Sequence, residues 1–283
     1  MSDAIARARS FLFVPASRPE RFAKALDSGA GCVILDLEDA VVPEQKAQAR
    51  CQLAERLTDF TGPHLARTLV RINAWGSAWH DEDVELLKAW TGKGLAGVML
   101  PKSEAPEVLQ TLGVALGEQA QLVPLVESLA GLDAAALLAR VPQVARLAFG
   151  HLDFQLDLGM RCGAEEVELA PVRFALAAAS RLAQIAAPID GVTVDTTDAG
   201  RIRADTTRAR AFGFAGKLCI HPSQVAAVEE ILAPSAQELD WARRVVTEAK
   251  ARNGGIFSLD GKMVDLPVVR AAQRTLLQNE TMR

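Results

Sequence analysis

The sequence has few of the residues that build zinc sites. Its 283 residues include four cysteines and four histidines, with no C-x-x-C pair and no metal-binding histidine spacing. This argues against a zinc centre. Cys32 and Cys219 lie inside apolar runs, so we expect both to be buried free thiols in a reducing cytosol.

The sequence also lacks the features of nucleic-acid-binding and membrane proteins. Its formal net charge is -4, and no basic stripe is present. The apolar stretch near the N-terminus, residues 11–14, is too short for a signal peptide or a membrane span. We therefore expect a soluble cytoplasmic protein with no nucleic-acid or membrane partner.

Eight short apolar runs, separated by helical segments, dominate the remaining sequence. They occupy residues 10–15, 32–37, 68–73, 95–100, 121–126, 144–149, 189–194 and 216–220. Continuous apolar runs are typical of buried parallel strands, and eight strand–helix units in order predict an α/β fold, the (β/α)8 TIM barrel. An open Rossmann-like sheet is the competing fold. It is disfavoured because no G-x-G-x-x-G motif follows the first run.

The composition changes after Pro234, which predicts two parts. Residues 1–234 would form the barrel and carry the catalytic site. Residues 235–283 would form a C-terminal helical extension and lid, too small to fold alone. Asp265, between Val264 and Leu266, is a candidate lid acid.

Charged residues follow most of the apolar runs. The C-terminal ends of barrel strands meet at the barrel mouth, so these side chains are expected to converge. Such a concentration of charge is costly unless a cation and an anionic ligand share the space, which predicts an active site. The residues are Asp36, Glu38, Asp39, Arg71, Lys102, Glu127 and Asp153.

Carboxylates at neighbouring strand ends indicate a magnesium site. Glu127 and Asp153 end the fifth and sixth runs, and two carboxylates plus water and substrate oxygens suit Mg²⁺. The alternative is that each acid caps a helix or pairs with an arginine. Asp36 and Glu38 share one face of the second run, where they could bind a metal-bound water or steer the substrate.

Basic residues of the mouth are candidates for substrate binding. The guanidinium of Arg71 suits a carboxylate or a developing enolate oxygen, although an ion pair with the Asp36 cluster is the alternative. Lys102 could form a Schiff base only if its amine were neutral, and the nearby carboxylates favour ion pairing instead. Arg18 and Lys24, around the first helix, suit a phosphate.

Eight stretches, in order along nearly the whole chain, resemble those of a known family. They are FVPASRPERF from residue 13, DLEDAV from 36, VRIN from 70, LPK from 100, VES from 126, FGHLDF from 149, GKLCIHPSQV from 216 and GKMVDLP from 261. Together they resemble the citrate lyase β-subunit-like branch of the HpcH/HpaI aldolase superfamily, which includes malyl-CoA and citramalyl-CoA lyases.

The resemblance implies a barrel that assembles as a homotrimer or a hexamer. It implies that Glu127 and Asp153 bind Mg²⁺ and that Arg71 holds the substrate oxygen. It also implies that Asp265 is the acid/base of a lid, often contributed by the neighbouring subunit.

For the substrate, the resemblance implies that Arg18 and Lys24 lie on the side that binds the CoA phosphates, and we group Lys102 with these substrate-binding residues. The sequence departs from the family pattern at His151 and Leu152, where small residues are common, so the pocket is expected to differ in shape.

The implied function is a Mg²⁺-dependent carbon–carbon lyase. It would cleave a 3-hydroxyacyl-CoA of the citryl-CoA or malyl-CoA type to a 2-oxo acid and an acyl-CoA by retro-Claisen chemistry. The alternatives are a class II 2-oxo acid aldolase without CoA, a malate-synthase-like or thioesterase variant, and a lyase subunit that acts on an acyl carrier protein. The sequence leaves the acyl group open, since one methyl group changes selectivity by only about 1–3 kcal/mol.

Overall fold

The computed structural model of the chain covers residues 4–252 and 255–280, with side chains through residue 277. Eight parallel strands close into a barrel in chain order, with the first strand paired to the eighth. This confirms the predicted (β/α)8 fold. The strands are β1 Ser10–Pro15, β2 Cys32–Asp36, β3 Thr68–Arg71, β4 Gly97–Leu100, β5 Leu122–Val126, β6 Ala148–Phe149, β7 Ile189–Asp190 and β8 Gly216–Cys219.

One short helix precedes β1, and the other helices of the barrel follow its strands. They are α1 Ala4–Arg7, α2 Phe22–Leu26, α3 Lys46–Thr58, α4 Gly62–Leu65, α5 His80–Thr91, α6 Pro106–Leu116, α7 Leu129–Leu138, α8 His151–Leu158, α9 Ala170–Leu182, α10 Ala199–Ala211 and α11 Val225–Leu232. None of the helices within the covered ranges is long and apolar enough to span a bilayer.

Strand alternation divides the barrel side chains into two cores. One set fills the barrel interior and includes Ile34, Leu69 and Leu125. The other set, including Leu35 and Val70, packs in the layer between the strands and the helices. Because side chains alternate along a strand, each interior residue fixes which residues at the strand end face the mouth.

By this rule, three charged side chains at the mouth lie on the same face of their strands as residues of the barrel interior. Asp36 is two residues after Ile34, Arg71 is two residues after Leu69, and Glu127 is two residues after Leu125. The β2–β3 register also pairs Asp36 directly with Arg71. The same pattern that fills the barrel therefore points these side chains inward at its C-terminal end.

Strands six and seven are shorter than the sequence predicts. The predicted strand 144–149 reduces to Ala148–Phe149, preceded by a single bridge from Val144 to Leu122. Between them, Arg146 is fully buried and donates to the carbonyls of Ile5, Ala8, Ala187 and Pro188. The predicted strand 189–194 ends at Asp190.

The chain divides between Leu232 and Ala233 into two compact units. The second unit contains α12 Ala236–Ala251, the antiparallel strands β9 Phe257–Leu259 and β10 Lys262–Val264, and α13 Leu266–Glu280. Its small core includes Val245, Phe257 and Val264. The functional division into a catalytic domain, 1–234, and a lid, 235–283, stays a prediction.

Candidate active site

The mouth of the barrel contains a cavity of about 180 Å³. Four of the charged residues predicted to converge at the mouth line it: Asp39, Arg71, Glu127 and Asp153. Phe13, Phe149 and His151 form the aromatic part of its wall. Larger cavities lie elsewhere on the barrel, but this is where the charged strand ends meet.

Arg71 is held in place by Asp36 in a two-pronged ion pair. Its Nε and Nη2 donate to the two carboxylate oxygens of Asp36 at 2.7 and 2.6 Å. Its guanidinium also lies over the ring of Phe13, 4.8 Å from the centroid. Burial alone would lower the pKa of Arg71, but Asp36, Glu38 and Asp39 outweigh it and raise the pKa, so the charge is permanent. Arg71 can therefore hold an ion pair with Asp36 and also bind the substrate. Asp36 accepts from only two of the five N–H donors of the guanidinium.

Asp36 is almost completely buried and is fully engaged in positioning its surroundings. Besides binding Arg71, it accepts hydrogen bonds from the backbone N–H groups of Glu38 and Ala40 at 2.9 and 3.2 Å. The carboxylate therefore fixes both the arginine and the loop after β2.

Glu38 lies between two cations and has an unusual protonation equilibrium. Its Oε2 is 2.9 Å from Nη1 of Arg71, and its Oε1 is 3.4 Å from Nζ of Lys102. Burial and the negative charge of Asp39 raise the pKa of Glu38, whereas the positive charge of Arg71 lowers it. The net result is a pKa of about 7. Oε2 is buried and makes no hydrogen bond with the described residues, because its contact with Arg71 is not aligned as one.

Glu127 is positioned by an unusual backbone conformation at Lys102. Lys102 has a φ of 47°, in the left-handed region that non-glycine residues rarely adopt, and its N–H donates to Oε1 of Glu127 at 2.7 Å. Burial, followed by the negative charge of Glu38, raises the pKa of Glu127 to about 8. Gly150 leaves room for the carboxylate, since a Cβ there would lie 2.6 Å from Cβ and Oε2 of Glu127.

Lys102 itself is a charged, exposed side chain. Burial lowers the pKa of its amine, but Glu38, Asp39 and Glu127 raise it by more, and the net pKa is raised. A protonated amine is a poor nucleophile, so the covalent alternative receives no support from its surroundings.

Asp153 lies in the first turn of α8, whereas the sequence predicts it at the end of strand six. The difference arises because β6 ends at Phe149 and the chain turns into a helix at Gly150. Asp153 is half-buried, lines the cavity, and contributes to the raised pKa of Glu127.

The donors of the mouth fit a hard divalent cation. Among residues 4–252 and 255–280, no three His, Cys, Asp or Glu side chains form a metal-binding cluster. Mg²⁺, however, is commonly held by one or two carboxylates, with waters and substrate oxygens completing its octahedron. Acids outnumber cations in this region, and burial of their charge is unfavourable without a counter-ion. The acids are Asp36, Glu38, Asp39, Glu127 and Asp153, and the cations are Lys46, Arg71 and Lys102.

Sequence reasoning missed Lys46 in this group. Its ammonium lies beneath the loop after β2, donating to the carbonyls of Leu37 and Glu38 at 2.8 and 3.0 Å. It also lies 5.0 Å from the ring centroid of Trp79. Burial lowers the pKa of Lys46 against the opposing effect of the acids. A lysine at the start of a polar-faced helix gives no signal of burial, so only the structure identifies it.

Arg18 lies in the loop after β1, and Lys24 lies in α2. Arg18, with Arg21, lines a cavity of about 440 Å³, and Lys24, with Arg21, lines a second cavity of about 350 Å³. The second cavity is mainly apolar, with walls that include Val14 and Pro15.

Asp265 belongs to the second compact unit. It is half-buried between β10 and α13, and its Oδ1 accepts a hydrogen bond from the N–H of Val268 at 3.2 Å. Within that unit Asp265 therefore acts as the N-cap of the last helix. Its predicted role as an acid/base is not tested by this contact.

Known proteins match nearly the whole chain. Residues 9–222 match the family model for HpcH/HpaI aldolase/citrate lyase, and residues 176–281 match a C-C bond lyase of the TIM-barrel fold. A citrate lyase subunit beta-like protein of Deinococcus radiodurans is 37% identical over 282 residues, covering 96% of this chain and 97% of its own length. The mitochondrial citramalyl-CoA lyase of Homo sapiens is 30% identical, with 95% and 84% of the two chains covered.

A solved structure is also closely similar. The CitE protein of Mycobacterium tuberculosis, in complex with magnesium, acetoacetate and coenzyme A, matches with a TM-score of 0.82 and 34% identity. The match covers 96% of this chain and 98% of that protein.

Proposed function

Because the chain belongs to the HpcH/HpaI aldolase/citrate lyase family and is a carbon–carbon lyase, we propose that it cleaves a 3-hydroxyacyl-CoA in a Mg²⁺-dependent reaction. Substrates of the malyl-, citramalyl- or citryl-CoA type would give a 2-oxo acid and an acyl-CoA. The observation that carries the proposal is one small cavity lined by Glu127, Asp153 and a third acid, Asp39, and by the charged Arg71.

Glu127 and Asp153 would hold the Mg²⁺, which supplies positive charge that polarises the hydroxyl and carboxylate oxygens of the substrate. The fit of this ion is supported by the excess of acids in the mouth and by the raised pKa of Glu127. The similar M. tuberculosis protein was solved in complex with magnesium, which supports the choice of metal.

Arg71 would stabilise the enolate of the departing acyl thioester. When the substrate hydroxyl loses its proton, the bond between the hydroxyl-bearing carbon and the carbon next to the thioester breaks, and its electron pair moves to the thioester oxygen. N–H donors fixed in advance at such an oxygen accelerate reactions by about 10²–10³-fold each. Asp36 would serve as a positioning residue, because it holds the guanidinium without lining the cavity.

Glu38 would act through its contacts with Arg71 and Lys102. A carboxyl whose pKa is near 7 can accept or release a proton at physiological pH. We propose that Glu38 adjusts the charge around the arginine as the enolate forms. Lys102 would keep its positive charge and attract the anionic substrate.

The CoA portion would bind beside the loop and helix that follow β1. Arg18, Arg21 and Lys24 surround two cavities there, and three cations suit the phosphates of a CoA molecule. The apolar walls of the second cavity suit its pantetheine arm. A class II aldolase without CoA would have no use for these groups.

The proposal is tested by incubating the protein with malyl-, citramalyl- and citryl-CoA and measuring three products: 2-oxo acid, acyl-CoA and free CoA. We expect equal amounts of 2-oxo acid and acyl-CoA, no free CoA, and complete loss of activity with EDTA. Free CoA as the main product would instead indicate a thioesterase. Activity that persists in EDTA would contradict the role of the metal.

Asp265 would take the hydroxyl proton and return one to the carbanion, acting from a lid formed by residues 235–283. As the family resemblance implies, the lid could come from a neighbouring subunit of a homotrimer or a hexamer. We expect Asp265→Asn to lower kcat far more than it raises KM, and light scattering to give three or six subunits. An unchanged kcat would remove Asp265 from the mechanism.

A further inference from the structure

The imidazole of His151 forms a wall of the mouth cavity that the proposed reaction does not use. The side chain is 5% exposed and lines the same cavity as Asp153, two residues later. Burial lowers the pKa of His151, against the opposing charges of Glu166 and Asp190. Its neighbours along the cavity, including Phe149 and Val192, are mainly apolar.

Three contacts limit the position of the ring. Nε2 lies 3.6 Å from Oε1 of Glu166, which is itself bound to Arg173 and Arg208 at 2.6 and 2.9 Å. The ring of Phe149 packs at a tilt, with 6.1 Å between the centroids. Nδ1 lies directly against Gly191, where an added Cβ would be only 2.1 Å away. With its edges confined in this way, the imidazole cannot easily swing aside to enlarge the cavity.

The size of the cavity sets the scale of what it can hold. A volume of about 180 Å³ is small for a ligand site, since ligand pockets in proteins commonly measure about 300–1,000 Å³. A site of this size favours a compact 2-oxo acid such as pyruvate over a longer one. A longer substituent on the reacting carbon, if directed at His151, would meet the imidazole.

We propose that His151 is a specificity-determining residue that limits the substituent on the hydroxyl-bearing carbon, and therefore restricts the enzyme to compact 2-oxo acid products. This inference rests on the proposed function, in which Glu127 and Asp153 bind the hydroxy-acid end of the substrate. The CoA end lies with Arg18 and Lys24 beside β1. His151 starts the helix after β6 and packs on the loop after β7, so it borders the hydroxy-acid end.

The test measures binding of pyruvate, 2-oxobutyrate and 2-oxovalerate by calorimetry with Mg²⁺ present, and condensation of the same acids with acetyl-CoA. One methylene changes selection by a hydrophobic pocket by about 10–200-fold. We expect the wild type to prefer pyruvate by at least about 10-fold at each step, and His151→Ala to reduce that preference by about 10-fold or more. His151→Gln is the matched control, since it keeps a planar polar side chain and should retain the preference.

Gly191→Ala provides a second, independent perturbation. Its Cβ would collide with Nδ1 of His151, so the ring must move and the preference must change. In the His151→Ala background the collision is absent, and adding Gly191→Ala should change the preference by less than about 3-fold. Such non-additivity is the signature of two residues in direct contact.

The outcomes separate this inference from the proposed function. If the wild type binds the acids and condenses them but His151→Ala and Gly191→Ala leave the preference unchanged, His151 is not the determinant and the lyase assignment stands. If the wild type neither binds 2-oxo acids nor acts on any CoA thioester, both proposals fail together.

Discussion

Replacing Glu127 by glutamine should stabilise the metal-free protein at neutral and alkaline pH. The pKa of Glu127 is raised from 4.5 to about 8, because its charge is buried near Glu38 and Asp153. A carboxyl with a raised pKa contributes stability that is fully present below pH 4.5 and is lost as the pH approaches 8, since the unfolded chain ionises first. At about 1.4 kcal/mol per pH unit, the loss between pH 5 and pH 8 amounts to about 3–4 kcal/mol.

Glutamine cannot ionise, so the variant avoids this loss and still accepts the hydrogen bond from the N–H of Lys102. Urea unfolding in EDTA at pH 5, 6, 7 and 8 would measure the difference in free energy between the variant and the wild type. We expect the difference to grow by about 3 kcal/mol across this range in favour of the variant. The exposed Glu118→Gln controls for the substitution itself.

Magnesium should offset most of the stability advantage of the variant. At a concentration of 100 times its Kd, Mg²⁺ would stabilise the wild type by about 2.7 kcal/mol, and the variant by much less. If the difference in free energy of unfolding between the variant and the wild type is the same at every pH, the electrostatic account of Glu127 is refuted. Equal stabilisation of both proteins by Mg²⁺ would refute its role as a ligand.

Three other substitutions test the remaining parts of the account. Arg71→Lys keeps the charge but loses the two-pronged pair with Asp36, so kcat should fall about 10²–10³-fold, and a smaller loss would exclude a direct role in the reaction. Gly150→Ala should push the Glu127 carboxylate aside and weaken Mg²⁺ binding by about 10–100-fold in a titration, whereas unchanged affinity would contradict the packing. Arg146→Met should leave four carbonyls unpaired and lower the free energy of unfolding by at least about 1–3 kcal/mol, and a variant as stable as the wild type would contradict that.

The barrel and most of its mouth could be predicted from the sequence because both follow from strand alternation. Alternate side chains of a strand face the same side, and this places Ile34, Leu69 and Leu125 inside the barrel. The residues two positions later are Asp36, Arg71 and Glu127, which therefore face the mouth. Pairing Asp36 with Arg71 required only that neighbouring strands be in register.

Features that depend on backbone conformation could not be predicted in the same way. Asp153 was assigned to a strand end, but the chain turns into α8 at Gly150, and no periodicity distinguishes a two-residue strand from a longer one. The left-handed backbone of Lys102 is equally invisible, because it is imposed by its surroundings.

The β9–β10 hairpin was missed although its signal was present. Asp260 and Gly261 both have positive φ, at 52° and 75°, which fits the two-residue turn that Asp-Gly favours between antiparallel strands. The flanking strands have only three residues each, too short for alternation to be read.

The most direct test of the central claim is a crystal structure of the protein grown with Mg²⁺ and pyruvate. The account predicts one ion in the mouth cavity, with a carboxylate oxygen from each of Glu127 and Asp153 at about 2.0–2.1 Å. An ion bound by other residues, or both carboxylates turned away from it, would contradict the account.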